Sequence, residues 1–216
     1  SWLGLKNVDS LIDTDNLQKL KIKQSTAVTI DYRSLTRARL FDLLIGDWDR
    51  HSKQWGWAIK NLNDSIIAIP LPTDRDNAFF NLEGILPTLI SNQAFLPEVQ
   101  SFEKDIEFLK GLISPFDIYF MRDIPEVIFK EEAEQLQHLL TDEAINSSFS
   151  VWPQDIYKLH GKEIIDKLKS RRKDLVAYAI QFKKELNDSA TLLTPLKGSE
   201  DLKLTANQIA CFNCVD

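Results

Sequence analysis

Two short stretches concentrate side chains able to hold a metal ion and move a proton. Asp47, Asp49, His51 and Gln54 fall in one polar run with Arg50, and Asp74, Asp76 and Asn77 surround Arg75 further on. Carboxylate and carboxamide oxygens are the donors that a hard divalent cation such as Mg or Mn takes, together with phosphate oxygens. Phosphoryl transfer uses such a layout: one carboxylate accepts the proton of the attacking hydroxyl, a carboxamide five residues on binds metal, and a later carboxylate binds metal and bridges the phosphates. Asp49 is the first group, Gln54 the second, and Asp74 or Asp76 the third. Asp47, Arg50, His51 and Asn77 support them, His51 by holding its loop in shape rather than by direct chemistry. The plainer alternative is that Asp49 and Asp74 cap turns and pair with Arg50 and Arg75.

The elements that must bring the two stretches together can be read from periodicity. Trp55, Trp57 and Ile59 alternate with Gly56, Ala58 and Lys60, which predicts a strand with both tryptophans toward the core. Asn61 to Ser65 is a turn, and Ile66 to Leu71 a second strand ending at Pro70 and Pro72. Pairing Lys60 with Ile66 sets Asp74 opposite Ser52 and Asp76 opposite Arg50, facing residues lying about 5 Å apart. Before this hairpin a helix spans about Arg33 to Ile45, capped by Asp31 or Ser34 and stopped by Gly46, with Arg37 and Arg39 on its surface. Asp13-Thr14-Asp15 opens a shorter helix to about Lys21, and Lys19 to Ile30 alternates weakly, as an extended segment would.

The rest reads as helix: Phe102–Leu112, Ile118–Arg122, Glu126–Leu140, Thr141–Ser147 with Thr141 as cap, and Gly161–Leu186. The last carries Lys162, Lys167, Lys169, Arg171, Arg172, Lys173, Lys183 and Lys184 on its outer face, a solvated surface by default and a basic docking surface as the alternative. The fold class is therefore mostly α with a small antiparallel β-hairpin. Residues 1–32 form an N-terminal extension or the remnant of a preceding lobe, 33–187 a helical domain containing hairpin 54–71, and 188–216 a tail or linker.

Composition bounds the function. With 216 residues, 44% hydrophobic and 27% charged, the chain is globular, and its net charge of −6 argues against a general nucleic-acid binder. No apolar run approaches the roughly 20 residues of a membrane span, and nothing fixes the compartment. Cys211 and Cys214 lack the paired ligand spacings of a zinc site, which neither His138 nor His160 completes. Met121 is the only methionine, so Ser1 is not a translation start, and the chain is expected to be a processed form or, in preference, a piece of a longer protein.

Asp49-Arg50-His51-Ser52-Lys53-Gln54, two strands, and then Pro72 to Phe79 together resemble the catalytic core of atypical protein kinase-like folds. Spore-coat protein H kinases carry D-R-H-x-x-N and a later W-D-x-D, HipA-type toxin kinases N-x-D-x-H-x-K-N, and phosphoinositide kinases a similar D-R-H-x-x-N. The segment from about Arg37 to Leu186 also resembles an uncharacterised Bacteroidetes family reading G-D-W-D-R-H-E-D-Q-W, P-R-D-R-D-Q-A-F, L-T-D-E and K-S-R-R-D-x-L. Gly46–Trp55, Pro72–Phe79, Leu140–Glu143 and Lys169–Leu175 are the matching stretches.

The resemblance implies a kinase C-terminal lobe that uses ATP with Mg or Mn. Asp49 maps to the base, Gln54 to the metal-binding Asn with one methylene more, and Asp74 to the later metal-binding Asp, with Asp76 a near-equal candidate. Only 48 residues precede Asp49, and the seven glycines form no phosphate-cradling loop. The lobe is therefore expected to be weakly active or inactive alone, and to contact a missing N-terminal part of its parent. Two alternatives stand beside it: a non-catalytic, pseudokinase-like interaction module, and a haloacid-dehalogenase-type phosphohydrolase. The latter is suggested by D-R-D after an apolar strand, but it needs a parallel sheet of alternating βα units.

Overall fold

The computed structural model describes residues 8–23, 27–81 and 98–188, with 201–205 and 208–212 described through their backbone. It is mostly helical with a small sheet. Strands β1 (Ser10–Asp13), β2 (Val28–Ile30), β3 (Trp55–Leu62) and β4 (Ser65–Pro72) line up in the order β1-β3-β4-β2. β3 and β4 form the expected hairpin, β1 pairs antiparallel with β3, and β2 runs parallel to β4. Residues 8–30 thus supply both edges of the hairpin's own sheet. Helix α1 (Thr14–Lys23) follows β1, so of the weakly alternating Lys19–Ile30 stretch Lys19–Lys23 is helical and Val28–Ile30 is strand.

The hairpin register differs by one residue from the expected one: Lys60 faces Ile67, and Leu62 faces Ser65. The loop is only Asn63-Asp64, with Asn63 at φ 38°. A two-residue turn with left-handed backbone matches strand twist, and asparagine tolerates that conformation, so the strands extend into what reads as a five-residue turn. Trp55 and Trp57 are 2% and 0% exposed, on the core side as their alternation predicts. Trp55 stacks on Phe116 with centroids 4.8 Å apart, and Trp57 packs on Phe120 at 5.2 Å.

Helix α2 (Tyr32–Ile45) starts at Asp31, whose carboxylate accepts the Ser34 N–H at 3.0 Å, and ends at Gly46 with φ 72°. Only glycine suits this end, since a Cβ there would meet the Phe102 ring at 2.7 Å in addition to the left-handed backbone. Helices α3 (Pro115–Met121), α4 (Glu126–Leu139) and α5 (Asp142–Phe149, capped by Thr141) follow the expected pattern.

Two stretches depart from it. Within 102–112 only Leu109–Leu112 forms a 3-10 turn. Its backbone groups are taken by side chains instead: Arg171 Nε donates to the Glu103 carbonyl at 2.6 Å, Tyr178 Oη accepts the Ile106 N–H at 3.2 Å, and Gln100 Nε2 donates to the Phe108 carbonyl at 2.8 Å. The long C-terminal helix divides into α6 (Lys162–Lys173) and α7 (Leu175–Asp188) at Asp174. Gln137 Nε2 donates to the carbonyls of Arg172 and Lys173 at 2.7 and 2.9 Å, replacing the helical bonds lost at that break.

The basic face is solvated only in part: Lys162, Lys173 and Lys184 are exposed, and the others are engaged within the fold. Arg171 is 4% exposed, Lys183 is buried with its ammonium on the Arg122 carbonyl, and Arg172 and Lys169 pair with Asp142 at 2.7 and 3.3 Å. Of the two arginines expected on the surface of α2, Arg37 is there, its side chain 38% exposed, and Arg39 is not. Arg37 pairs with buried Glu132 at 2.7 Å, and Arg39, fully buried, forks onto Asp117 at 2.8 and 3.2 Å.

In the segment read as a tail, β5 (Asp201–Thr205) and β6 (Gln208–Phe212) pair as a separate antiparallel hairpin, while Cys214 lies outside the described residues. Among the described residues no helix is long and apolar enough to cross a membrane.

Candidate functional site

The first loop begins where Gly46 reverses α2. The Asp47 N–H donates to the Asp42 carbonyl at 2.9 Å, and Ser52–Gln54 closes the loop as a 3-10 turn. Thr14, at the start of α1, braces it from below. Its hydroxyl lies 2.9 Å from the Ser52 carbonyl and 3.1 Å from that of Trp55, and accepts Trp57 Nε1–H at 3.1 Å.

Arg50 fastens this loop to the second one. Its guanidinium is fully buried, with Nε 3.0 Å from Asp42 Oδ2 and Nη1 3.3 Å from Asp47 Oδ2. Nη1 also donates to the carbonyls of Thr73 and Asp74, each at 2.8 Å, and the group lies over the Trp55 ring at 4.8 Å. From the second loop Arg75 Nε reaches Asp42 Oδ1 at 2.7 Å. The plainer reading of the motif, with Asp49 and Asp74 paired to their neighbouring arginines, is therefore not what the chain does: both arginines turn inward to Asp42.

The second loop holds two non-glycine residues in left-handed backbone, Asp74 at φ 52° and Phe79 at φ 60°. Aspartate adopts this region readily, whereas phenylalanine does so only where its surroundings compel it. Here the Phe79 N–H donates to the Ile45 carbonyl at 2.9 Å, and its ring packs on Phe102, Phe149 and Trp152.

These anchors leave the chemistry-bearing groups facing outward. Asp49 has a side chain 34% exposed, with Oδ1 3.7 Å from His51 Nε2. His51 Nδ1 accepts the Lys53 N–H at 3.2 Å, the loop-shaping duty expected of it. The surroundings of Gln54 assign its amide nitrogen to the carbonyls of Thr73 and Asp74, at 3.2 and 3.1 Å. That orientation turns the amide oxygen to the position 3.5 Å from Asp49 Oδ2, so two acceptors face each other. Asp74 is exposed, and among the described residues its carboxylate makes no hydrogen bond or ion pair; Asp76 is exposed and accepts Asn77 Nδ2–H at 3.1 Å.

Burial sets the electrostatics. Desolvation pushes the Asp47 carboxyl up to about 6 against the pull of Arg50, and its Oδ1 is buried without a partner. The same desolvation lowers Arg50 and raises Asp42, each opposed by the other's charge.

Among the described residues no three His, Cys, Asp or Glu side chains stand together as a ready chelate. The metal donors named from the sequence, the Gln54 amide oxygen and the exposed Asp74 and Asp76 carboxylates of the second loop, are all hard oxygens. They fit a cation such as Mg, which commonly takes one or two protein oxygens and completes its shell with phosphate and water. Beyond the second loop a cavity of about 710 Å³ opens between Phe79, Phe80, Trp152 and His160. Trp48 packs edge-on against Phe80 at 5.9 Å, and none of Asp49, Gln54, Asp74 or Asp76 lines this cavity.

Sequence reasoning singled out Asp49, Gln54 and Asp74 and gave Arg50 a supporting part, but it missed Asp42, Arg75 and Thr14 as parts that hold the loops. One signal was present: Asp42 interrupts the apolar run Leu40-Phe41-Asp42-Leu43-Leu44, and a carboxylate on a buried face must find a cation. Comparison with models of known protein families, with curated proteins and with solved structures gives no match.

Proposed function

We propose that the chain is a metal- and nucleotide-dependent phosphotransferase lobe of kinase-like type, working with Mg or Mn and ATP. The observation that carries the reading is the facing pair of oxygens, Asp49 Oδ2 and the Gln54 amide oxygen 3.5 Å away, on a loop that Arg50 fastens to Asp74. In this reading Asp49 accepts the proton of the acceptor hydroxyl, for which its partial exposure leaves access. Gln54 and Asp74 hold the cation, with Asp76 beside them, and the cation would neutralise charge on the phosphates.

A second reading, a non-catalytic interaction module that keeps the site as structure, draws support from the Gln54 nitrogen. Its two carbonyl partners and the buried Arg50 network order both loops without any ligand.

Isothermal titration with Mg-ATP and a radiolabel transfer assay on the 216-residue chain separate the two. The chain offers a base and metal donors but no glycine-rich phosphate cradle, so binding is expected near millimolar, about −4 kcal/mol. Transfer should be slow and abolished in Asp49→Asn, with Mg-ATP binding retained. Binding without any transfer selects the module. Absence of Mg-dependent binding at millimolar ATP, or binding indifferent to Asp74→Asn, overturns the phosphotransferase reading.

A further inference from the structure

The two loops meet on one carboxylate. Asp42 is fully buried within α2, a rigid element, and each of its oxygens faces a guanidinium from a different loop: Oδ2 lies 3.0 Å from Arg50 Nε and Oδ1 2.7 Å from Arg75 Nε. Its own carbonyl receives the Asp47 N–H at 2.9 Å, which sets where the first loop leaves the helix. Arg39 and Asp47 are the other charged groups acting on it or on its partners.

The Arg75 contact is the informative one. Arg50 already holds the second loop through the carbonyls of Thr73 and Asp74. Arg75, with a side chain 32% exposed, is not required to fill the core. What its bond to Asp42 adds is an anchor on the far side of Asp74. Asp74 then sits at φ 52° between two guanidinium anchors, one on its own carbonyl and one on the next residue's side chain. The Arg75 bond is a directional hydrogen bond from Nε, whereas the Arg50 contact with Asp42 is an ion pair without hydrogen-bond geometry.

We propose that Asp42 is a positioning residue: by holding Arg50 and Arg75 together it sets the placement of Asp74 relative to Asp49. Its consequence for metal and nucleotide rests on the phosphotransferase reading, whereas its consequence for loop geometry does not.

The test uses the full chain with Arg75→Met, Arg75→Lys and Asp42→Asn, measuring amide hydrogen exchange and Mn-ATP affinity by electron paramagnetic resonance. Arg75→Met leaves Asp42 paired with Arg50 and should fold even where Asp42→Asn does not. It is expected to speed exchange in 73–78 at least tenfold while α4 keeps its protection, and to weaken Mn-ATP about tenfold. Arg75→Lys, which restores charge but not the planar Nε–H donor, should recover only part of both. Asp42→Asn should loosen 47–54 as well.

Unchanged protection in 73–78, or a loss spread equally over α4, overturns the positioning role. Loosened loops in a chain that binds no Mn-ATP retain the positioning role and remove the phosphotransferase reading. Mn-ATP affinity that is present and unmoved by Arg75→Met removes the positioning role and leaves that reading intact.

Discussion

At Asp47 a carboxylate sits almost entirely out of water, with one oxygen 3.3 Å from Arg50 and the other without a partner, while Asp42 competes for the same guanidinium. The environment therefore favours the neutral acid, and burial raises the carboxyl from 3.8 to about 6. Between those values the folded chain binds more protons than the unfolded one, so this group's contribution to stability falls as pH rises from about 4 to 6. Asparagine copies the shape of the neutral acid without the charge. Asp47→Asn is accordingly expected to match the parent chain near pH 4 and to exceed it by about 1–3 kcal/mol at pH 7.5. Urea unfolding at the two pH values measures the difference, and a variant less stable than the parent at pH 7.5 would mean that the Arg50 pair outweighs desolvation.

At the scale of elements, Arg171 joins three parts of the chain. From α6 its Nη1 donates to the Leu43 carbonyl near the end of α2 at 3.0 Å, its Nε donates to the Glu103 carbonyl at 2.6 Å, and the group lies over the Phe102 ring at 4.3 Å. No carboxylate pairs with it among the described residues, and burial lowers it to about 10. Removing the guanidinium would leave the Glu103 carbonyl without this donor, at a cost of about 1–3 kcal/mol, and the Leu43 carbonyl with only the Gly46 N–H at 3.3 Å, besides losing the packing on Phe102. Arg171→Leu should lower stability by roughly 2–4 kcal/mol. Arg171→Lys should recover less than half of that, since a single ammonium cannot span both carbonyls. Urea midpoints check both variants, and the same substitutions should loosen the first loop, which starts at the α2 end that Arg171 holds.

At the scale of the whole molecule, the sheet and the helices are joined around the site rather than beside it. β1 and β2 flank the hairpin, Thr14 braces the first loop, and Trp55 ties Arg50 to Phe116 of α3. A ligand that binds only this folded arrangement raises the melting temperature by mass action. Mg or Mn at millimolar concentration is therefore expected to raise Tm, and Asp74→Asn to abolish the rise. Asp49→Asn should change Tm little in the absence of metal, because that side chain faces solvent. An undiminished rise in Asp74→Asn would place the cation elsewhere.

Local physics made much of this legible in advance. The Asp31 cap, the Gly46 stop, the Thr141 cap and the two tryptophans alternating into the core depend on neighbours a few positions away, and each stands where its pattern puts it. The same holds for the spacing of Asp49 and Gln54, which one 3-10 turn brings within 3.5 Å. The partners of buried charges are another matter. Arg39 meets Asp117 across 78 positions and Arg171 meets Leu43 across 128, and an arginine stem packs on apolar surface as readily as it reaches water. Nothing local told these residues from solvated ones, nor told the buried irregular stretch around Phe102 from a helix with the same apolar spacing. Residue types and near-neighbour spacing named the groups able to do chemistry; only the packing of α2 against both loops decided that Asp42 would hold them, because that choice depends on which distant surfaces exclude water.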